Sequence, residues 1–151
     1  MQVRSKNCTK EVVLMKKVLL PIDGSKRSIR TVEMVKQICK PEECEIYIAK
    51  VIGAQLYINS MEEIKHRAEQ ARPELNAVAE MLPGYKVQTQ VLLGSAPGVE
   101  LVEYAREIEA DEIIMTRSSR GPIRKLGSVA NYIVKNASFL DVFVMREEDD
   151  E

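Results

Sequence analysis

Several kinds of side chain are scarce in this 151-residue chain, and each scarcity excludes a class of function. Histidine occurs once, as His66 between two charged residues, so neither a Ser-His-Asp triad nor a site with several histidine ligands can be assembled. Tryptophan is absent and there are only two phenylalanines, which leaves few rings on which nucleobases could stack. The formal net charge of -1 gives no field that would attract a nucleic acid polymer or an acidic membrane.

Cysteine and long apolar runs are also in short supply. The odd number of cysteines (Cys8, Cys39 and Cys44), without a Cys-x-x-Cys pair, indicates neither a disulfide framework nor a zinc site. An apolar run at Val12 to Met15 is too short for a secretory signal, and no run approaches the roughly 18 residues of a membrane span. We therefore expect a cytoplasmic protein that does not associate with a membrane.

The sequence motifs of nucleotide-processing enzymes are missing as well. The chain contains neither the Gly-x4-Gly-Lys-Ser/Thr of a P-loop nor the Ser-Gly-Gly-x-Asp-Ser of an ATP pyrophosphatase. The third predicted strand ends in Leu92, Leu93 and Gly94, without the phosphoacceptor aspartate of a receiver domain. We therefore predict that the protein is not an enzyme.

What the sequence does contain is an alternation of short β-rich runs with longer helical stretches, which is typical of βαβ units around a parallel sheet. The predicted strands are Lys16 to Asp23, Glu45 to Ile52, Lys86 to Leu92, Asp111 to Thr116 and Asp141 to Met145. The predicted helices are Ser25 to Lys40, Ser60 to Met81, Pro97 to Glu109 and Ser128 to Asn136. This pattern predicts one α/β domain with a doubly wound sheet, in which ligands bind beyond the carboxyl ends of the strands.

Three of the helices carry more specific expectations. The apolar residues of the first helix recur at helical spacing and predict a buried face made of Ile29, Val32, Val35, Ile38 and Cys39. Pro73 in the second helix predicts a kink or a break near Arg72, because proline cannot donate the helical hydrogen bond. In the third helix Pro97 suits the first turn, and the predicted buried face is Val99, Val102, Ala105 and Ile108.

The loops after the first and fourth strands hold the residues best suited to binding a ligand. Asp23 ends the first strand, where its carboxylate either accepts hydrogen bonds from ligand hydroxyl and amino groups or caps the following helix. The segment from Thr116 to Ser128 is rich in serine, arginine and glycine. Gly127 and Ser128 begin a helix, so their backbone N–H groups favour an anion, the alternative being that Ser128 only caps the helix.

Two segments of this chain resemble the opening and closing segments of universal stress proteins: KKVLLPIDGS from Lys16, and IIMTRSSRGPIRKLGSVANYIVKNASFLDVFVM from Ile113. The likeness spans Lys16 to Arg146. It implies a Rossmann-like, five-stranded parallel sheet with the strand order 3-2-1-4-5. Family members that bind nucleotides carry Gly-x2-Gly-x9-Gly-Ser/Thr around the phosphates and ribose, and an aspartate after the first strand that faces the adenine side.

The match to this nucleotide motif is partial. Asp23 corresponds to the family's aspartate, and Gly127 with Ser128 corresponds to the closing Gly-Ser. Thr116 and Ser119 replace the first two glycines, and seven residues separate Ser119 from Gly127 instead of nine. A Cβ at the replaced positions hinders the close approach of phosphates, which counts against a triphosphate, whereas the remaining hydroxyl and backbone donors suit a nucleoside monophosphate.

The resemblance therefore implies a regulatory protein that binds an adenine nucleotide, ATP or AMP, with or without Mg²⁺ and without substantial catalysis. The alternative is a dimeric interaction protein that has lost its ligand. Val51 is included in the expected site because the equivalent segment of the family lends backbone contacts to the base. The expected nucleotide-binding residues are Asp23, Val51, Thr116, Ser118, Ser119, Gly121, Gly127 and Ser128.

The resemblance also implies the domain boundaries and the assembly. Residues 1–15 form an N-terminal extension, residues 16–146 the universal stress protein domain, and residues 147–151 an acidic tail. The fifth strand, Asp141 to Met145, is expected at the edge of the sheet, where an apolar strand favours pairing with a second copy. We therefore expect a homodimer formed through this strand.

Overall fold

A computed structural model describes residues 14–24, 26–53, 60–116 and 127–145. Within these ranges five strands and four helices alternate along the chain. The strands are β1 (Lys16–Pro21), β2 (Cys44–Ile52), β3 (Lys86–Leu93), β4 (Glu112–Thr116) and β5 (Asp141–Met145). The helices are α1 (Lys26–Ile38), α2 (Met61–Glu80), α3 (Pro97–Ile108) and α4 (Ser128–Asn136). None of these described helices is both long and apolar enough to cross a membrane.

The described strands form one parallel sheet in the order β3-β2-β1-β4-β5, with β1 at its centre. Val18 of β1 lies opposite Ile46 of β2, and Leu19 lies opposite Ile113 of β4. The predicted doubly wound fold and strand order are thereby confirmed. The chain leaves β1 for β2 on one side and reaches β4 on the other. The carboxyl ends of β1 and β4 therefore flank the crevice in which such sheets bind ligands.

Helices cover both faces of the sheet, so successive residues of the central strand are buried in opposite layers. Leu20 of β1 packs in a cluster with Val35 of α1, on the side of α1 and α2. Leu19 packs in a second cluster with Ile133 of α4, on the side of α3 and α4. Because both faces are covered, the centre of β1 has to be continuously apolar, as its sequence is.

The helices α3 and α4 approach each other closely at Gly98. A Cβ built at this residue would lie 2.9 Å from Cδ1 of Tyr132 in α4. Only a residue without a side chain therefore lets the first turn of α3 pack against this ring. The contact holds the two helices together at the edge of the sheet where both of them begin.

The buried face of α1 differs from the prediction at both ends. Ile29 and Ile38 are 46% and 47% exposed, although the pattern of apolar residues placed them in the core. The stripe that packs on the sheet begins instead with two buried polar residues and continues into the apolar ones. The two isoleucines lie on the flanks of this stripe, whose members follow helical spacing. The stripe consists of Ser28, Thr31, Val32, Val35 and Cys39.

The second helix, α2, runs from Met61 to Glu80 without interruption, so the predicted break near Arg72 is wrong. Pro73 lies on the exposed side of the helix, and so does Glu69, whose carbonyl loses its helical donor. Water can hydrate that carbonyl, which removes most of the cost of keeping the proline inside the helix.

The predicted apolar face of α3 is confirmed in part, because Val102 and Ala105 are buried and Pro97 lies in the first turn as predicted. Leu101 and Tyr104 are buried, whereas Val99 and Ile108 are only half-buried. The phenol of Tyr104 counted as polar in the sequence pattern, but its ring belongs to the core cluster between α3 and the sheet.

Cys39, after α1, and Cys44, at the start of β2, are free thiols that are 3% and 5% exposed. Burial is the main cause that raises the pKa of Cys39 to about 12, followed by the neighbouring Cys44. The Cys39 thiol is therefore protonated at neutral pH, which fits a core residue better than a reactive one.

We expect this buried thiol to make the protein less stable at alkaline pH. The pKa of Cys39 is about 12 in the folded protein and about 9 at its ordinary value. The unfolded state therefore releases the Cys39 proton at a pH where the folded state still holds it. The contribution of the protonated thiol to the free energy of unfolding is complete below about pH 9 and is lost as the pH rises toward about 12. Urea unfolding at about pH 8 and about pH 10 should give a larger fall in the free energy of unfolding for the parent than for Cys39→Ala. Equal falls in the two proteins would contradict this assignment.

Candidate functional site

A cavity of about 340 Å³ opens at the carboxyl ends of β1 and β4. It is lined by the end of β1 and the loop after it, the start of α1, the end of β2, the start of α3, the end of β4 and the first turn of α4. The described lining residues are Pro21, Ile22, Asp23, Ser28, Ala49, Lys50, Val51, Pro97, Leu101, Met115, Thr116, Gly127, Ser128, Val129 and Ala130.

Asp23 is held in the cavity wall by a reciprocal pair of hydrogen bonds with Ser28. The Ser28 hydroxyl donates to Oδ1 of Asp23 at 2.8 Å, and the Asp23 N–H donates to the same hydroxyl oxygen at 3.0 Å. Just before Asp23, the Ile22 N–H donates to the Ala49 carbonyl at 2.8 Å. The chain therefore stays hydrogen-bonded to β2 beyond the last residue of β1. The carboxylate is thereby placed at the exposed mouth of the cavity, where it can accept hydrogen bonds from hydroxyl or amino groups.

The inner wall of the cavity is mainly apolar. Ala49, Leu101 and Met115 are buried there, and Val51 and Val129 are half-buried. These residues belong to the core cluster on the side of α3 and α4 or pack against it, so the wall is part of the rigid core. Such a surface suits a flat, largely apolar group such as a heterocyclic base.

The amino end of α4, at Gly127 and Ser128, lines the other side of the cavity. Gly127 is the N-cap, so Ser128 is the first helical residue and is not the cap. Gly127 has φ 91° and ψ 151°, a backbone region that is essentially confined to glycine, and its carbonyl accepts from Asn131 N–H at 2.9 Å. The first turn holds no acidic side chain, so the positive end of the helix is available to an anion.

The structure brings together five of the eight residues that the sequence predicted as ligand contacts, namely Asp23, Val51, Thr116, Gly127 and Ser128. Three more lie outside the described residues: Ser118, Ser119 and Gly121. The five come from four separate elements. The parallel sheet brings them together because the carboxyl ends of β1, β2 and β4 lie at the same end of the sheet.

Several lining residues were not predicted from the sequence, of which Ser28 and Leu101 are the most informative. Ser28 lies in the first turn of α1 on the stripe that includes Val32 and Val35, and a polar residue on a mainly apolar stripe is a usable signal. Leu101 carries no such signal, because an apolar residue in the first turns of α3 is equally suited to the core.

The described residues do not contain a cluster of three or more histidine, cysteine, aspartate or glutamate side chains arranged to hold a metal ion. Asp23 is the only carboxylate among the described residues that line the cavity. The described lining therefore presents one negatively charged hydrogen-bond acceptor, Asp23, one basic residue, Lys50, one helix terminus that attracts negative charge, and an apolar wall.

Comparison with known proteins gives consistent matches over most of the chain. A family model described as the universal stress protein family matches residues 15–146. Universal stress protein MJ0531 of Methanocaldococcus jannaschii is 30% identical over 135 residues, which cover 82% of this chain and 78% of that protein.

Solved structures with the same fold also match this chain. The structure of protein MJ0577 matches with a TM-score of 0.74 and 26% identity, covering 91% of this chain and all of that one. A universal stress protein in complex with cAMP matches with a TM-score of 0.62 and 25% identity, covering 87% of this chain and 97% of that one. An AMP-bound family member from Arabidopsis thaliana has a TM-score of 0.61 over 90% of this chain and 94% of its own, and at 19% identity that likeness shows the fold alone.

Proposed function

This chain belongs to the universal stress protein family, and we propose that it binds an adenine nucleotide in the cavity at the carboxyl ends of β1 and β4. The role is regulatory binding without substantial catalysis. The observation that carries the proposal is the convergence of Asp23, the end of β2 at Val51, and the amino end of α4 on one cavity.

Each part of a nucleotide has a chemically matched surface in this cavity. The base lies against the apolar wall and reaches the backbone of β2 near Val51. A ribose hydroxyl or the base amino group donates to Asp23, which Ser28 holds in place. The phosphate meets the first-turn N–H groups of α4 at Gly127 and Ser128. Support also comes from the related structure at 25% identity, which contains cAMP.

The size and charge of the cavity favour a nucleotide with one phosphate over ATP. Its volume of about 340 Å³ is near the lower limit for ligand pockets, which is roughly 300 Å³. Mg²⁺ is usually held by one or two carboxylates together with phosphate oxygens. In this site the ion would need Asp23, the same carboxylate that receives the ribose or the base. We therefore favour AMP, bound without a requirement for Mg²⁺, as the physiological class of ligand.

Isothermal titration with AMP, cAMP, ADP and ATP, each with and without Mg²⁺, tests the proposal. We expect one site per chain, tightest binding for AMP or cAMP, and no dependence of AMP affinity on Mg²⁺. GMP, which lacks the adenine amino group, serves as the control ligand and should bind more weakly. The absence of heat with all four adenine nucleotides at millimolar concentration would overturn the proposal.

An interaction protein without a ligand is the second candidate, and the replacement of the motif glycines by Thr116 and Ser119 favours it. The two candidates differ in what the purified protein carries. A nucleotide-binding protein is expected to retain some nucleotide, visible as excess absorbance in the band of the base. Protein that carries none and does not bind added nucleotide would favour the second candidate.

We also propose that the chain forms a homodimer through β5. This strand lies at one edge of the described sheet, and Phe143 within it is 41% exposed. An open edge with apolar side chains favours pairing with a second copy. Sedimentation equilibrium at micromolar concentration should give twice the chain mass.

The variant Phe143→Lys tests this interface directly, because a charge on an edge strand opposes pairing. We expect it to shift the protein toward the monomer. Ile38→Lys is the matched control, since Ile38 is 47% exposed on α1 in the opposite layer, and this variant should remain dimeric. A monomeric parent protein, or dissociation by the control alone, would rule out the interface.

A further inference from the structure

A second set of contacts reaches the site from α2, which does not line the cavity. Nζ of Lys50, near the end of β2, forms an ion pair with Oε2 of Glu74 in the middle of α2. The side chains of Lys50 and Glu74 are only 24% and 29% exposed. This pair is therefore less screened by water and salt than a surface ion pair would be.

The other oxygen of Glu74 lies against Gly24, the residue that follows Asp23. A Cβ built at Gly24 would collide with Oε1 of Glu74, so the carboxylate occupies the space beside the glycine Cα. Gly24 also has φ 85°, a conformation that favours glycine. One carboxylate thus contacts the loop after β1 and, at the same time, pairs with the end of β2.

These contacts support the chain on both sides of Asp23. Ile22 is fixed to β2 through the Ala49 carbonyl, Asp23 is bonded to Ser28, and Gly24 is packed against Glu74. The side chain of Lys50 meets α2, whereas its neighbour Ala49 belongs to the cluster on the opposite face of the sheet. Glu74 is not among the described residues that line the cavity, whereas Lys50 is, so the ion pair connects the cavity lining to α2.

We propose, on the basis of the nucleotide-binding function above, that Lys50 and Glu74 are positioning residues that hold the loop after β1 so that Asp23 faces the nucleotide. The pair fixes the backbone at Gly24, and the backbone fixes the direction of the Asp23 carboxylate. Binding of a nucleotide is in this way coupled to the placement of α2.

The test measures AMP affinity in Glu74→Gln and Lys50→Met, which remove one charge each while nearly preserving side-chain volume. We expect both to weaken AMP binding by about threefold to tenfold. The charge-swapped protein with both Lys50→Glu and Glu74→Lys should recover part of the loss. Glu69→Gln and Lys65→Met change exposed side chains of α2 in the same manner and should leave the affinity unchanged.

A double-mutant cycle separates positioning from a general effect on stability. If the pair acts through Asp23, then Glu74→Gln should weaken AMP binding much less in an Asp23→Asn background than in the parent. Equal effects in the two backgrounds would overturn the proposal, because they would mean that the pair acts independently of Asp23.

Amide hydrogen exchange supplies a readout that needs no nucleotide. The Asp23 N–H is protected by its bond to Ser28, and Glu74→Gln should speed its exchange whereas Glu69→Gln should not. Unchanged exchange, or unchanged AMP affinity in Glu74→Gln, would overturn this inference alone. Failure of the parent protein to bind AMP would instead overturn the proposed function, and this inference with it.

Discussion

Replacing Asp23 by alanine should weaken AMP binding by about tenfold to a hundredfold, because hydrogen bonds to a charged group contribute about 1.5–3 kcal/mol. The carboxylate is held by Ser28, so in the parent protein little orientational freedom is lost when the ligand binds. Isothermal titration of the variant with AMP measures the effect.

The control for this substitution is Glu69→Ala, which removes an exposed carboxylate on α2 and should leave AMP affinity at the parent value. Asp23→Asn should fall between the parent and Asp23→Ala, because an amide oxygen still accepts a hydrogen bond but carries no charge. Equal AMP affinity in Asp23→Ala and the parent would remove Asp23 from the site.

Replacing Gly127 by alanine should lower both stability and AMP affinity. With φ 91° and ψ 151°, this residue has a conformation that costs another residue about 1–3 kcal/mol. Relief of that strain would turn the first residues of α4, so their N–H groups would no longer point at the phosphate. We expect a lower melting temperature and AMP binding that is weaker by about tenfold.

Gly84→Ala is the matched control for the second substitution. Gly84 also has positive φ, at 84°, but it lies in the turn before β3, and a Cβ there would meet no atom within 4 Å. We expect this variant to lose stability through backbone strain and to keep the AMP affinity of the parent. If both glycine variants lose AMP affinity to the same extent, the loss is caused by lower stability and not by a change at the start of α4.

The fold was largely predictable from the sequence because its signals are local and redundant. Val18, Leu19 and Leu20 form an uninterrupted apolar run that indicates a strand covered on both faces, which the structure confirms. The errors arose where tertiary contacts override the pattern. Ser28 and Thr31 are buried where the pattern favoured Ile29 and Ile38.

The candidate site was predictable in part, for a different reason. Asp23 and Gly127 were identified because a motif marks them, and the sheet topology brings them to one edge. Lys50 and Glu74 could not be paired from the sequence, because they are 24 positions apart on different elements and each has the appearance of an ordinary charged surface residue. Only the packing of α2 beside the loop after β1 brings them into contact.

The central claim is that an adenine nucleotide occupies the cavity between the loop after β1 and the start of α4. Titration of AMP into ¹⁵N-labelled protein, followed through the backbone amide resonances, tests it most directly. We expect saturable shifts at Asp23, Val51, Gly127 and Ser128, and little change at Cys39 and Cys44 at the opposite end of the sheet. Shifts confined to that opposite end, or none at millimolar AMP, would contradict it.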